Sequence, residues 1–461
     1  MILPRHVLGG KGYTSPSDKL NIAGVGVRKW GMGSGNLSSC ETENIVALCD
    51  VDHKLSAETF NKYPKAKVYK DFRVMLETQK DIDAVIVATP DHTHAIISMM
   101  SIKLGKHVFC QKPLTHTVYE ARLITETARK YKVQTQMGNQ GRSSEEIRRL
   151  KEWIDDGAIG PVRKVYAWTD RPVGGNAWDT FDAKAKPKEK PPIPKDLDWD
   201  LWLGPAKYRN YHPSYHPNSW RAWIDFGTGS MGDMGCHIID VPFRTLGLHY
   251  PTAVECSVGQ VFINMWNPEY IPEGCPPSSS VTLDFSATEK NNTPVKMRWL
   301  DGGLRPPHPD LIPANDSLGT PNSANGVMMI GSKGIITTGV YGFTPKLYLE
   351  GGEKIEFDTS NQPGNEFGHQ SKWVAACKAG FNSDEHKSLT SSFDYSGPMT
   401  ETVLMGNIAI RSFTEMKTNK KGVSFYPGRK KLLWDGESMK ITNYNAANRF
   451  VSRSYRKGWE V

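Results

Sequence analysis

A lysine followed by proline, Lys112-Pro113, closes the short apolar run Val108-Phe109-Cys110-Gln111. Proline fixes the backbone next to the lysine and makes Lys112-Pro113 a candidate cis bond. If the run is a strand of an open α/β sheet, its carboxyl end lies in the crevice where ligands of such sheets bind. A lysine partly desolvated beside a cation gives up its proton more readily and suits acid/base work. The alternative is an ordinary surface charge. Far downstream, the stretch from Gly227 to Asp240 reads GTGSMGDMGCHIID. Asp233, His237 and Asp240 recur there at helical spacing and fall near one face. Carboxylates beside a histidine orient its ring and set its basicity, as proton transfer needs. A metal site is the weaker rival, because no second histidine lies close in sequence, and a buried structural His–Asp pair is the plain alternative. Lys112, Asp233 and His237 are the candidate catalytic residues, and no metal is assigned.

A second set of residues suits a dinucleotide. Gly24-Val25-Gly26 directly follows a short apolar segment. Glycines there permit a tight turn and close approach of the backbone to a pyrophosphate, whose charge the next helix N-terminus favours. The usual third glycine is replaced by Lys29, while Gly31, Gly33 and Gly35 follow, as in a turn lengthened by about two residues. Asp50 ends the second apolar run, where an acidic residue bonds the adenosine ribose. A carboxylate there repels a 2′-phosphate, so NAD is expected; Arg28 and Lys29 keep NADP open. Asp50 could instead be a strand-end cap. Thr89-Pro90 leads into a helix over the same crevice, and His94 either lines it or is merely a helix-start residue. Asn139, after the fifth apolar run, joins the cofactor set.

Between these groups lies the loop YRNYHPSYHPNSWRAW, from Tyr208 to Trp223. Aromatic faces with Arg and His suit a carbohydrate. The same residues would serve as packing between domains. Tyr211, His212, Trp220 and Arg221 are the candidate substrate contacts, with Asp240.

The elements that must position these residues are legible in outline. Strands are expected at Leu20–Ala23, Ile45–Cys49, Ala84–Ala88, Lys106–Cys110 and Val133–Met137. Helices at Leu55–Tyr63, Thr93–Leu104 and Val118–Tyr131 separate them, the alternation of a doubly wound parallel sheet. The pattern stops near Gly138-Asn139-Gln140-Gly141. Ser144–Asp156 is an amphipathic helix with Ser144 as a candidate cap. Beyond it, strand candidates at 162–169, 253–261, 280–286, 295–300, 326–331 and 335–340 look antiparallel, and 370–379 and 401–417 read as helices. We therefore expect an α/β chain with an arm at 1–18, a Rossmann domain with a parallel sheet at 19–141 and an α+β domain with a large open mixed or antiparallel sheet at 142–461.

Composition narrows the partners. The chain has 461 residues, 38% of them hydrophobic, and a net charge of +8. No apolar run approaches the roughly 20 residues of a membrane span. The densest basic segment, Lys184–Lys195, is broken by proline and reads as a solvated loop. Nucleic-acid binding would need a basic face with stacking aromatics, which is absent. Seven widely spaced cysteines without a C-x-x-C pattern exclude a disulfide scaffold or a zinc site and read as buried small hydrophobes. No signal peptide is present in the given sequence.

In their order and spacing, the glycine turn, Asp50, Thr89-Pro90 with His94, Lys112-Pro113, and Asp233 with His237 resemble the glucose–fructose oxidoreductase / inositol dehydrogenase / rhizopine-catabolism (Gfo/Idh/MocA) family over Lys19 to at least Asn407. The resemblance implies a Rossmann domain, an α/β domain whose open sheet joins two or four copies, and NAD(P)-dependent oxidation or reduction of a sugar or cyclitol carbinol. It implies that Lys112 contacts the reacting hydroxyl, His237 moves its proton, Asp233 supports them, and His94 and Gln111 line the cofactor. Gln111-Lys112-Pro113 departs from the family's usual Glu-Lys-Pro and removes a negative charge. The arm, the Trp-rich loop and GDMGCHIID resemble a subgroup common in Bacteroidetes-type bacteria, which implies export to the periplasm with the signal removed; a chain starting natively at Met1 would be cytoplasmic. Two other functions compatible with these residues are glycoside cleavage by transient oxidation with tightly held NAD, and a non-enzymatic NAD sensor.

Overall fold

The fold is that of a computed structural model describing residues 15, 18–29, 31–139, 144–171, 187–265, 267–269, 273–357 and 368–461. Most of the expected arm and residues 184–186 lie outside the described residues.

The first half alternates as expected: β1 (Asn21–Val25), α1 (Met32–Ser38), β2 (Asn44–Cys49), α2 (His53–Lys62), β3 (Lys67–Tyr69), α3 (Phe72–Thr78), β4 (Ala84–Val87), α4 (Asp91–Lys103), β5 (His107–Gln111), α5 (Val118–Tyr131) and β6 (Thr135–Gly138). The strands pair in parallel in the order β3-β2-β1-β4-β5-β6. The order reverses at β1, and a crevice opens there beyond the carboxyl ends of β1 and β4. Helix starts are fixed by local chemistry. Asp52 and Asp71 accept backbone N–H groups of the helices they precede, and Thr117 with Glu120 forms a capping box. Helix α4 is buried on nearly every side because it lies between the sheet and the rest of the molecule.

The second half contains α6 (Glu145–Asp155), β7 (Lys164–Thr169), α7 (Trp199–Leu203), α8 (Gly229–Ile238), α9 (Asp240–Thr245), β8 (Ala253–Val258), a ribbon of β9 (Val261–Asn264) and β10 (Asn267–Glu269), then β11 (Ser279–Phe285), β12 (Val295–Leu300), β13 (Asn325–Ile330), β14 (Gly334–Thr338), β15 (Lys346–Leu349) and β16 (Lys354–Glu356). It continues with α10 (Gly368–Ala379), α11 (Asp384–Lys387), α12 (Phe393–Thr414), a ribbon of β17 (Lys417–Thr418) and β18 (Ser424–Phe425), β19 (Leu432–Asp435) and β20 (Lys440–Ile441). Ten strands form one sheet in the order β16-β15-β14-β13-β7-β12-β11-β8-β19-β20. The sheet is mixed, within the expectation of a mixed or antiparallel sheet. β7 and β12 run parallel, because a long crossover through α7, α8 and α9 separates them.

Two expectations are corrected. Helix α12 begins at Phe393, not 401, and runs through Pro398; the proline removes one bond to the carbonyl four residues earlier but lies near the helix start. A packing contact not expected from the sequence involves α10. Trp373, Val374, Ala376 and Cys377 of α10 form one cluster with Ile22, Leu48, Ile86 and Phe109 of the first sheet. A helix from late in the chain therefore completes one face of the Rossmann layer. Ser144 stands at the N-cap of α6, but its side chain makes no capping bond. All seven cysteines are free thiols, six of them buried.

Candidate active site

The glycine turn folds around two backbone requirements. Gly26 sits at φ +81°, and a Cβ there would meet the Ala88 carbonyl at 2.7 Å. Gly33, in the first turn of α1, takes the close-packing role of the expected third glycine, since a Cβ on it would collide with the Gly26 carbonyl. Gly31 is the N-cap of α1, so the lengthened turn still delivers a helix N-terminus to the crevice. Gly24 stays inside β1, packed against Val27 and Leu37.

Below the turn, Asp50 is buried and accepts the Val27 N–H at 2.8 Å and the Asp52 N–H at 2.9 Å. Burial raises its pKa, against the pull of those N–H groups. Of the two basic residues that kept NADP open, Lys29 pairs with Glu58 at the surface. Arg28 crosses to the second half, donating to the Pro217 carbonyl and to Asn218 Oδ1. His216 bonds Asp52 Oδ2 at 2.9 Å. The loop after α7 thus roofs the nucleotide side of the crevice.

The crevice is a cavity of about 510 Å³. Gly26, Gly31, Asp50, Thr89, Pro90, Gln111 and Lys112 line it from the first half, and Trp202, His216, Trp220 and Arg221 from the second. A dinucleotide fits these residues. Gly26 leaves its backbone approachable, and Gln111 carries a buried amide oxygen with no hydrogen-bond partner in the protein. Gly138 makes room for that amide, because a Cβ on it would strike the Gln111 side chain.

Lys112 Nζ, after a cis Lys112-Pro113 bond, donates to Asp233 Oδ1 at 2.7 Å and to the Asp233 carbonyl at 2.6 Å. Arg171 donates to Asp233 Oδ2 at 2.9 Å, and Arg221 Nε lies 3.5 Å from Oδ1. Burial would raise the Asp233 pKa, but Lys112, Arg221 and Arg171 overcome this and hold it well below the usual carboxylate range. His237, one helical turn beyond Asp233 on α8, is buried with its ring edge-on to Tyr341 at 4.8 Å. It is not in the cavity wall.

His94 and Asp240 stand elsewhere than expected. His94 lies behind the cavity wall, its ring nitrogens 2.7 Å from the Pro113 carbonyl and 2.8 Å from the Thr89 carbonyl. It therefore fixes the two loops that reach the cofactor rather than touching it. Burial disfavours its charge, but Cys110, Asp91 and the Pro113 carbonyl outweigh that and push its pKa up to about 9. Asp240 is fully buried, bonded by the Tyr395 hydroxyl of α12, so it holds helices together and is withdrawn as a substrate contact. Asn139 is likewise buried off the wall.

The aromatic loop divides. Trp220 and Arg221 face the cavity, the guanidinium stacked 4.2 Å over the indole. Tyr211 packs edge-on to Trp199 in a cluster with Trp202, Tyr215, Trp223 and Phe226, and His212 bonds its neighbour Ser214. Those two serve packing and loop shape. Sequence reasoning missed Arg171 and His216, and saw Arg28 only as a candidate phosphate contact. Arg171 had a usable signal: like Lys112, it is a basic residue before proline just past a strand end. Among the described residues no group of His, Cys, Asp and Glu could hold a metal, and no helix is long and apolar enough to cross a membrane.

Residues 20–139 match the Gfo/Idh/MocA model described as an oxidoreductase family, NAD-binding Rossmann fold, and residues 143–260 match that family's C-terminal alpha/beta domain. An inositol 2-dehydrogenase of Salmonella typhimurium is 30% identical over 154 residues, 32% of this chain and 44% of that protein. A D-glucoside 3-dehydrogenase of Escherichia coli is 30% identical over 140 residues, 30% of this chain and 40% of that protein. The chain thus spans less than half the length of these relatives. An inositol dehydrogenase homolog from Azotobacter vinelandii, solved with NADH and myo-inositol, shares the fold at a TM-score of 0.57 and 16% identity, covering 88% of this chain and 97% of that one.

Proposed function

This chain belongs to the Gfo/Idh/MocA oxidoreductase family, and from that premise we propose that it oxidises or reduces a carbinol of a sugar, glycoside or cyclitol with NAD. The observation that carries this reading is Lys112, held by Asp233 in the wall of a cavity that continues to the glycine turn.

Bound NAD supplies the acceptor for the carbinol hydride, and NADH the donor in reverse. Gly26 and the α1 N-terminus at Gly31 offer backbone N–H groups to the pyrophosphate. Gln111 offers its amide in the cofactor wall. The Lys112 ammonium binds the oxygen of the reacting hydroxyl, and Asp233 keeps it in place. The hydroxyl proton is assigned to His237 on the family resemblance; its ring is buried outside the cavity wall, one helical turn beyond Asp233. Trp220 and Arg221 form the far wall of the substrate space.

The test is NADH formation by the purified protein over a panel of sugars, glycosides and cyclitols. Positioned proton transfer contributes about 10²–10⁴-fold, so Lys112→Met and His237→Gln should each lower kcat by about that factor. Unchanged turnover in both variants would remove the assigned roles.

Two further parts of the reading are proposals. The chain forms a dimer or tetramer through its ten-stranded sheet, a state that light scattering in solution would detect, and a monomer at micromolar concentration would exclude it. It acts in the periplasm, which fractionation with cytosolic markers would contradict.

A further inference from the structure

One carboxylate, Asp233, is shared by three cations. Lys112 takes one of its oxygens and Arg171 the other. Arg221 approaches no nearer than 3.5 Å and, among the described residues, its guanidinium donates no hydrogen bond. It is instead stacked on Trp220 at the cavity wall, with its side chain 37% exposed. Arg171 spends one terminal nitrogen on Asp233, and its side chain is 47% exposed. The next carboxylate, Asp91, is buried and accepts the Thr228 hydroxyl; Asp50 is occupied by backbone N–H groups under the turn. His94, behind the wall, adds no negative charge.

A neutral hydroxyl needs only Lys112, Asp233 and the proton acceptor His237. Among the described residues two guanidinium forks keep unspent donors, Arg221 in the cavity wall and Arg171 joined to it through Asp233; they are more than that reaction requires and make this end of the site positively charged. A guanidinium fork matches an oxyanion and adds directional hydrogen bonds to the charge. Resting on the reading above, we propose that the substrate is an anionic sugar, and that Arg221 with Arg171 binds its carboxylate or phosphate while Lys112 holds the reacting hydroxyl.

The experiment titrates NAD-saturated protein by calorimetry with D-glucuronate, D-glucose 6-phosphate and D-glucose. A charge-assisted hydrogen bond changes affinity by about tenfold or more, so at least one acid should bind about tenfold more tightly than D-glucose. Tighter glucuronate identifies a carboxylate, and tighter glucose 6-phosphate a phosphate. Arg171→Gln and Arg221→Gln should each bring the acid-to-neutral ratio towards one. Arg221→Lys, which keeps the charge and the stacked stem, should retain part of it. D-glucose binding as tightly as both acids, or a ratio surviving both Gln substitutions, would overturn the proposal. Turnover of neutral sugars with no preference for acids would remove this inference and leave the redox reading. A preserved ratio in wild-type protein without turnover of any sugar would do the reverse.

Discussion

Both ring nitrogens of His94 face carbonyl oxygens, Pro113 on one side and Thr89 on the other. A neutral imidazole can donate to only one of them, so the charged ring suits this place best. Its pKa is raised from 6.5 to about 9. The stabilisation it gives is therefore complete below about pH 6.5 and is lost as pH rises through about 9. The unfolding free energy of the native protein should exceed that of His94→Gln by about 2 kcal/mol at pH 6, and the gap should close by pH 10 in denaturant titrations. The sequence placed His94 near the crevice, since it follows Thr89-Pro90 at a helix start, but could not say which way its ring points. Lys112 and Asp233 were legible because each stands in a motif with its own backbone logic. Arg171 was not, because the partner that defines it lies 62 residues away, and Arg28 was legible only as a phosphate contact, since its partner Asn218 lies 190 residues away. Spacing in the sequence put Asp240 on one helical face with Asp233, but a new helix, α9, starts at Asp240 and Tyr395 from α12 claims its carboxylate, a contact that local spacing cannot reveal.

At the scale of elements, period and punctuation found the strands and helices whose two faces differ or whose ends are capped. They did not show where an element packs. α10 is expected as a helix at 370–379, but its little amphipathic contrast gives no sign that Trp373 is fully buried against Phe109 at a ring distance of 5.6 Å. Trp373→Ala should destabilise the Rossmann layer by about 3–5 kcal/mol, read by chemical denaturation, although the residue lies outside that domain in sequence. β3, three residues long and mostly exposed, offered no periodicity to detect. The α1 start carries its own prediction. Gly33→Ala forces the Gly26 carbonyl to move, so NAD binding by calorimetry should weaken by tenfold or more while the fold, followed by circular dichroism, persists. An unchanged affinity would mean that the turn can relax without altering its cradle.

Across the whole molecule, the two sheets are joined through buried polar groups as well as apolar contact. Arg122 of α5 pairs with Glu401 of α12, and Asp91 of α4 accepts the Thr228 hydroxyl at the start of α8. Residues after the short 3-10 helix Asn445–Phe450 return to the first half: Trp459 packs on Phe72, and Arg453 and Tyr455 both bond Glu120. Glu120 is fully buried. Breaking a buried pair costs about 3–5 kcal/mol because the remaining charge loses its partner. Arg453→Met should lower stability by that amount, and Glu120→Gln combined with Arg453→Met should recover part of it; a double variant as unstable as the sum of the singles would mean that the two residues do not act as a pair. The same contact bears on how the chain is made. Glu120 closes the capping box of α5 early in synthesis, but the arginine that neutralises it is 333 residues further along. Until the ribosome has delivered that arginine, the nascent Rossmann layer holds an acid it can bury only at a cost, and its last step of compaction waits for the far end of the message.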